Sequence, residues 1–144
     1  MNAKIYSLLF LLACLNCYSQ DRADPVYTGI EVQVCNSYGR DNINKKGTAG
    51  AIYDCLEPAR NAINKPGQWN RCVLTCKGSS VKVVLNDEQV IDMDLDKWTT
   101  ARKNPDNTDN KFGHALKDFD RVGYIGLQDH GRPVWYRNVR VTRL

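Results

Sequence analysis

Polar residues at alternate positions of one apolar segment are the first candidates for chemistry. In the sequence GIEVQV, Glu31 and Gln33 alternate with Ile30, Val32 and Val34. This alternation predicts a β-strand, in which Glu31 and Gln33 point to one face about 7 Å apart. A carboxylate and an amide on one face suit sugar hydroxyls or a metal ion. The alternative is an ordinary solvent-facing surface of an antiparallel sheet.

A second polar pair follows the apolar segment VGYIGL. Gln128 and His130 would share one strand face, and Gly131 allows the backbone to turn sharply beside them. Histidine can transfer protons near neutral pH or bind a metal ion. His130 is therefore the strongest single candidate for a site residue. A hairpin loop with a structural histidine is the alternative.

Two aromatic residues lie at the ends of predicted strands. Tyr53 is near the end of the segment AGAIYDC, and Trp69 begins the segment WNRCVLTC. Aromatic rings beside a groove can stack on sugar rings while one edge stays polar. Both residues are candidates for substrate binding, although packing in the core or as a loop anchor explains Trp69 equally well.

Seven short apolar segments are predicted to form the strands that position these residues. They span 29–34, 49–55, 69–76, 81–85, 88–95, 122–128 and 134–142. Segments rich in Gly, Pro and Asn separate several of them, and no amphipathic helix is evident. Short strands joined by turns predict an all-β protein with an antiparallel β-sandwich or jelly-roll fold.

The ordered succession of these segments resembles one protein family over residues 29–144. After GIEVQV come AGAIYD, KPGQWN, VVLND, GYIGLQDHG and VWYRNVRV, and this order is similar to that of the 3-keto-disaccharide hydrolase domain family. The resemblance implies a concanavalin A-like jelly roll with the EVQ strand at its site. The strands with which the family domain usually begins are not found here. The resemblance therefore covers the C-terminal half and predicts an incomplete jelly roll.

The resemblance also implies an activity, which is cleavage of the glycosidic bond in an oxidised disaccharide or another 3-keto-glycoside. Glu31 and His130 are then the expected catalytic residues, and Gln33, Gln128 and Tyr53 are expected to contact the sugar, as is Trp69. A divalent metal ion is one option for stabilising the enolate, with Glu31 and His130 as candidate ligands. A non-catalytic carbohydrate-binding module and an inactive fragment are the competing hypotheses.

The N-terminal residues have the composition of a targeting segment. Lys4 precedes the apolar run 5–17, and this order predicts a secretory signal peptide over residues 1–19, with a polar lead-in at 20–28. The run is shorter than the roughly 20 residues that a membrane span needs. We expect a bacterial protein exported to the periplasm or the medium. The sequence LLAC, which ends at Cys14, is the basis of an alternative in which a lipid anchors the chain.

The net charge and the cysteines bear on the possible binding partners and on disulfide bonds. The net charge is +4, and its basic and acidic residues are interspersed, so we do not expect nucleic-acid binding. We favour buried thiols, with at most one disulfide, for Cys35, Cys55, Cys72 and Cys76. Cys72 and Cys76 would lie about 13 Å apart on one strand and should not bond to each other. The exposed strand edges of an incomplete jelly roll make a homo-oligomer one option.

Overall fold

Antiparallel strands form most of the regular structure in the computed structural model, which describes residues 12–15, 25–40, 44–129 and 131–144. The strands are β1 Leu12–Leu15, β2 Ile30–Glu31, β3 Cys72–Lys77, β4 Ser80–Leu85, β5 Glu88–Asp94 and β6 Gly123–Gly126. The helical turns are α1 Pro25–Thr28 and the 3₁₀ turns Lys45–Gly47, Leu95–Lys97 and Leu116–Asp118. The predicted all-β antiparallel class is confirmed.

One sheet has the strand order β3-β4-β5 and follows directly from local turn chemistry. Asn86 and Asp87 join β4 to β5, and both have positive φ angles, 51° and 67°. Two consecutive left-handed residues match the twist of the flanking strands, so the hairpin predicted here is confirmed. Its strands carry buried apolar side chains on one face: Val81, Val83, Leu85, Ile91 and Met93.

The other sheet has the order β2-β1-β6 and supports the candidate site. Glu31 of β2 and Gly126 of β6 both pair with Leu12 of β1. Beyond β2, an isolated bridge joins Val32 to Ile52. The core contains buried side chains from both sheets and from the loops: Ile30, Val32, Val34, Ile52, Val83, Leu85, Met93, Leu95 and Phe112.

Several predicted strands are shorter in the structure, among them 29–34 and 122–128, and two of the predicted segments form no strand. In the segment 49–55 only Ile52 forms bridges, because Gly50 and Asp54 have φ angles of 82° and 66° that break the extended backbone. The segment 134–142 forms no strand, and Asn138 with φ 55° interrupts it. Conversely, β1 lies in the segment predicted as a leader. No helix in the described parts of the chain is long and apolar enough to cross a membrane.

A buried asparagine fixes the loop 98–112 that follows β5. Asn104 is 3% exposed, and its Oδ1 accepts hydrogen bonds from Trp98 Nε1 at 2.8 Å and Asn110 Nδ2 at 3.2 Å. Its Nδ2 donates to the backbone oxygens of Asp54 and Asp109 at 3.1 and 3.2 Å. One amide therefore ties the loop to itself and to the residue that follows Tyr53.

The four cysteines at positions 35, 55, 72 and 76 are free thiols in the structure. Burial raises the pKa of Cys55 to about 12, and the nearby negative charge of Asp54 adds to this. Burial also raises the pKa of Cys72 to about 11. None of these four forms a disulfide, and the prediction of buried thiols holds for Cys55, whereas Cys35 and Cys72 are partly buried and Cys76 is exposed.

We expect Asn104→Ala to destabilise the protein by about 2–3 kcal/mol, because it leaves buried partners without hydrogen bonds. Urea unfolding followed by circular dichroism would measure the change. Gln68→Ala, which truncates an exposed amide, is the matched control. A loss below about 0.5 kcal/mol, the range of ordinary surface substitutions, would contradict the role of Asn104.

The raised thiol pKa values predict a loss of stability at alkaline pH. The unfolded chain releases these thiol protons from about pH 9, while folded Cys55 keeps its proton to about pH 12. The contribution is therefore complete below pH 9, and by pH 10.5 Cys55 alone should cost about 1–2 kcal/mol. Urea midpoints at pH 8 and 10.5 test this. An equal fall in Cys55→Val would show that other groups cause it.

Candidate functional site

The face of the β2-β1-β6 sheet that points away from the core carries most of the predicted site residues. Glu31 and Gly126 flank Leu12 in one row of the sheet, so their Cα atoms lie about 10 Å apart, two strand spacings. Tyr53 extends the row beyond Glu31, because its backbone N–H donates to the Glu31 carbonyl at 2.9 Å. Residues opposite each other in a row share one face of the sheet.

Gln33 and Gln128 follow in the next row along the same face. Each lies two residues beyond a member of the first row, Gln33 after Glu31 and Gln128 after Gly126. Because β2 and β6 are both antiparallel to β1, they run in the same direction. Side chains two residues apart on a strand point the same way. Gln33 and Gln128 lie just beyond the ends of β2 and β6, and continued alternation would carry them to the side of Glu31 and Tyr53. We call this set of four residues the polar face.

A buried ion pair lies within the polar face. Glu31 Oε2 is 3.0 Å from Lys111 Nζ, and the two side chains are only 5% and 8% exposed. The Lys111 ammonium also lies 4.9 Å from the centre of the Tyr53 ring, within the range of a cation–π contact. Sequence analysis missed Lys111, because it lies in an irregular charged segment with no strand periodicity.

The backbone around Lys111 is fixed on both sides by buried neighbours. Asn110 and Phe112 are 7% and 0% exposed, and Asn110 Oδ1 accepts a hydrogen bond from the Phe112 N–H at 3.0 Å. The Phe112 ring packs edge-on against Phe119, with 5.5 Å between ring centres. Lys111 therefore projects from a rigid turn towards Glu31, although their sequence positions are far apart.

Two buried amide oxygens on the polar face have no hydrogen-bond partner in the described part of the chain. They are Gln33 Oε1 and Gln128 Oε1. Leaving a buried acceptor unsatisfied costs about 1–3 kcal/mol. Unpaired buried polar groups in a native fold therefore call for a partner such as water, an ion or a ligand. Hydroxyl groups of a sugar are donors of the kind that both amide oxygens lack.

Trp69 lies just before β3 of the other sheet. It lines a groove of about 780 Å³ together with Val32, which alternates with Glu31 and points to the opposite face. The guanidinium of Arg137 stacks 4.2 Å from the centre of the Trp69 ring. The structure therefore separates Trp69 from the other predicted site residues.

His130 lies outside the described residues. The residues next to it form the turn that the sequence predicts. Gly131 has φ 67°, and its N–H donates to Asp129 Oδ1 at 2.8 Å. The chain therefore turns immediately after the strand that leads to Gln128.

The residues of the polar face do not favour a metal ion at Glu31. The Lys111 ammonium already lies against the carboxylate, and its positive charge repels a cation there. Across the described residues, no group of three or more His, Cys, Asp or Glu side chains could hold a metal ion. We therefore derive no chemical step through a metal.

Known proteins share this sequence and this fold. A 3-keto-disaccharide hydrolase of Bacteroides thetaiotaomicron is 30% identical over 141 residues, which cover 86% of this chain and 47% of that protein. The chain thus spans about half the length of this relative. A solved structure of a candidate glycosyl hydrolase from Parabacteroides distasonis superposes with a TM-score of 0.73 at 29% identity, covering 90% of this chain and 66% of the other.

A family model agrees with these relatives and covers more of the chain than we expected. It describes a 3-keto-α-glucoside-1,2-lyase-like domain, and it matches residues 8–142. The match begins well before residue 29, where the sequence resemblance was expected to start, and it includes the residues of β1. The predicted resemblance to the 3-keto-disaccharide hydrolase domain family is confirmed. The chain therefore belongs to the 3-keto-α-glucoside-1,2-lyase-like family.

Proposed function

We propose that this protein cleaves the glycosidic bond of 3-keto-glycosides and binds the sugar on the polar face. The observation that carries this proposal is the pair of unsatisfied amide oxygens, Gln33 Oε1 and Gln128 Oε1, on the same face as Glu31. The similar hydrolase of Bacteroides thetaiotaomicron supports the substrate class. Tyr53 is 37% exposed, so its ring can meet a sugar directly.

The chemistry begins at the oxidised carbon of the sugar. A ketone at C3 makes the proton on C2 acidic, so a base removes that proton and an enolate forms. The enolate then expels the group on C1 as an alkoxide, which takes the proton held by the base and leaves as an alcohol. This step breaks the glycosidic bond and leaves a double bond between C1 and C2. Water then adds its oxygen to C1 and gives one proton through the base to C2, and the 3-keto sugar is released.

Glu31 and His130 are the two candidates for the base. The Glu31 carboxylate is held in place by Lys111 Nζ at 3.0 Å from its Oε2. Only 4% of the surface of Glu31 is exposed, so a sugar would have to bind within the polar face to reach its carboxylate. The amides of Gln33 and Gln128 would accept hydrogen bonds from sugar hydroxyls and so fix the ring relative to the base.

We expect Glu31→Gln and His130→Ala each to reduce kcat for a 3-keto-disaccharide by about 10²–10⁴-fold, the usual contribution of a general base. Glu31→Gln keeps the shape of the side chain and removes the proton acceptor. Steady-state release of the 3-keto sugar is the measurement, with circular dichroism as the check on folding.

Two surface substitutions of the same types serve as controls. Glu88→Gln and His114→Ala alter exposed residues and should leave kcat unchanged. Full activity in both Glu31→Gln and His130→Ala would contradict the proposed site. Binding of the sugar by the wild-type protein without turnover would instead favour a carbohydrate-binding module, and neither binding nor turnover would favour an inactive fragment.

We also propose that the protein is exported, on the strength of the targeting composition of residues 1–19. Cleavage after residue 19 would remove β1, which lies between β2 and β6. In the cleaved chain this sheet would no longer hold Gln128 beside Glu31, and the backbone pairing of Tyr53 with Glu31 would remain. Intact mass measurement of protein from the exported fraction is predicted to show a chain that lacks residues 1–19. A lipid-modified Cys14 would identify the anchored alternative, and a full-length chain retained in the cytoplasm would contradict export.

A further inference from the structure

We propose that Lys111 is a positioning residue of the polar face, which holds the Glu31 carboxylate and the Tyr53 ring in the arrangement needed for cleavage. This assignment rests on the proposed function and extends it to a residue outside the sheet. It follows from one ammonium group that contacts both side chains, Glu31 at 3.0 Å and the Tyr53 ring centre at 4.9 Å.

A gain in folding free energy does not by itself explain why a buried ion pair occurs at this position. Removing two charges from water costs more than their attraction often returns, and well-packed apolar pairs are frequently as stable or more so. Glu31 is itself only 4% exposed, so its side chain is surrounded by protein rather than by water. An apolar side chain at position 31 would avoid the cost of burying a charge there. The sequence instead places a carboxylate here and an ammonium against it.

The geometry indicates what the lysine does. Lys111 Nζ contacts Oε2 of Glu31, so it restricts rotation of the carboxylate about its last bond. The same ammonium lies against the Tyr53 ring, whose backbone pairs with Glu31 in the sheet. Both contacts therefore fix the orientation of groups in the first row of the polar face.

The rest of the loop 98–112 supports this role. Asn104 connects the loop to the backbone of Asp54, which directly follows Tyr53. A second link joins Lys46 Nζ to Thr108 Oγ1 at 2.6 Å. The loop that carries Lys111 is thus attached to the strand end that carries Tyr53, so the two side chains keep their relative positions.

The test compares Lys111→Met, Glu31→Gln and the double variant with wild-type protein. Lys111→Met removes the charge but keeps much of the side-chain volume. We expect kcat for a 3-keto-disaccharide to fall about tenfold to a hundredfold with KM within about twofold, because a misplaced group costs rate rather than binding. Assays well below the melting temperature of each variant separate this effect from lost stability.

The double variant provides a measurement that a purely structural role would not move. Replacing both charges at once leaves no unpaired ion, so this variant should fold even if Lys111→Met does not. Of the two groups that Lys111 contacts, only Glu31 takes part in the chemical step, so the double variant should keep the residual kcat of Glu31→Gln. A further tenfold loss would overturn the assignment. The control is Lys103→Met, which alters a surface ion pair in the same loop and should leave kcat unchanged.

The outcomes separate this assignment from the proposed function. Turnover by the wild-type protein with unchanged kcat in folded Lys111→Met would overturn the role of Lys111 and leave the function intact. Absence of turnover of any 3-keto-disaccharide by the wild-type protein would overturn the proposed function, and the assignment of Lys111 with it.

Discussion

The buried ion pair between Glu31 and Lys111 is the interaction on which the candidate site depends. It joins a strand residue to a loop residue far away in the sequence, and both side chains are almost completely removed from water. Breaking a buried pair by removing one partner leaves an uncompensated charge, which is strongly unfavourable. The pair therefore requires the loop 98–112 to stay docked, and the docked loop in turn keeps Tyr53 beside Glu31.

Two features of the polar face each lower the free energy of unfolding. The face holds a buried ion pair, and next to it two glutamine oxygens without partners in the described residues. Unsatisfied groups of this kind are expected where a ligand completes the hydrogen bonding, because ligand binding then recovers the free energy lost on folding. The chain belongs to the 3-keto-α-glucoside-1,2-lyase-like family, and a sugar is the ligand that we propose here.

Local patterns predicted the parts of the structure that local interactions determine. The hairpin at Asn86 and Asp87 follows from turn chemistry, and the shared face of Glu31 and Gln33 follows from the two-residue period of a strand. Contacts between residues far apart in the sequence leave no periodic pattern, so the contact of Lys111 with Glu31 could not be predicted. Trp69 looked similar to Tyr53 in the sequence, but in the structure Trp69 lines a groove beside β3, whereas the backbone of Tyr53 pairs with Glu31.

Nuclear magnetic resonance of the glutamine side-chain amides tests most directly whether the polar face binds the sugar. Titration with a 3-keto-disaccharide should shift the amide signals of Gln33 and Gln128. The signals of the exposed Gln68 and Gln89 should stay in place. Binding of the sugar with no shift at Gln33 or Gln128, or with shifts only at Trp69, would contradict a site on the polar face.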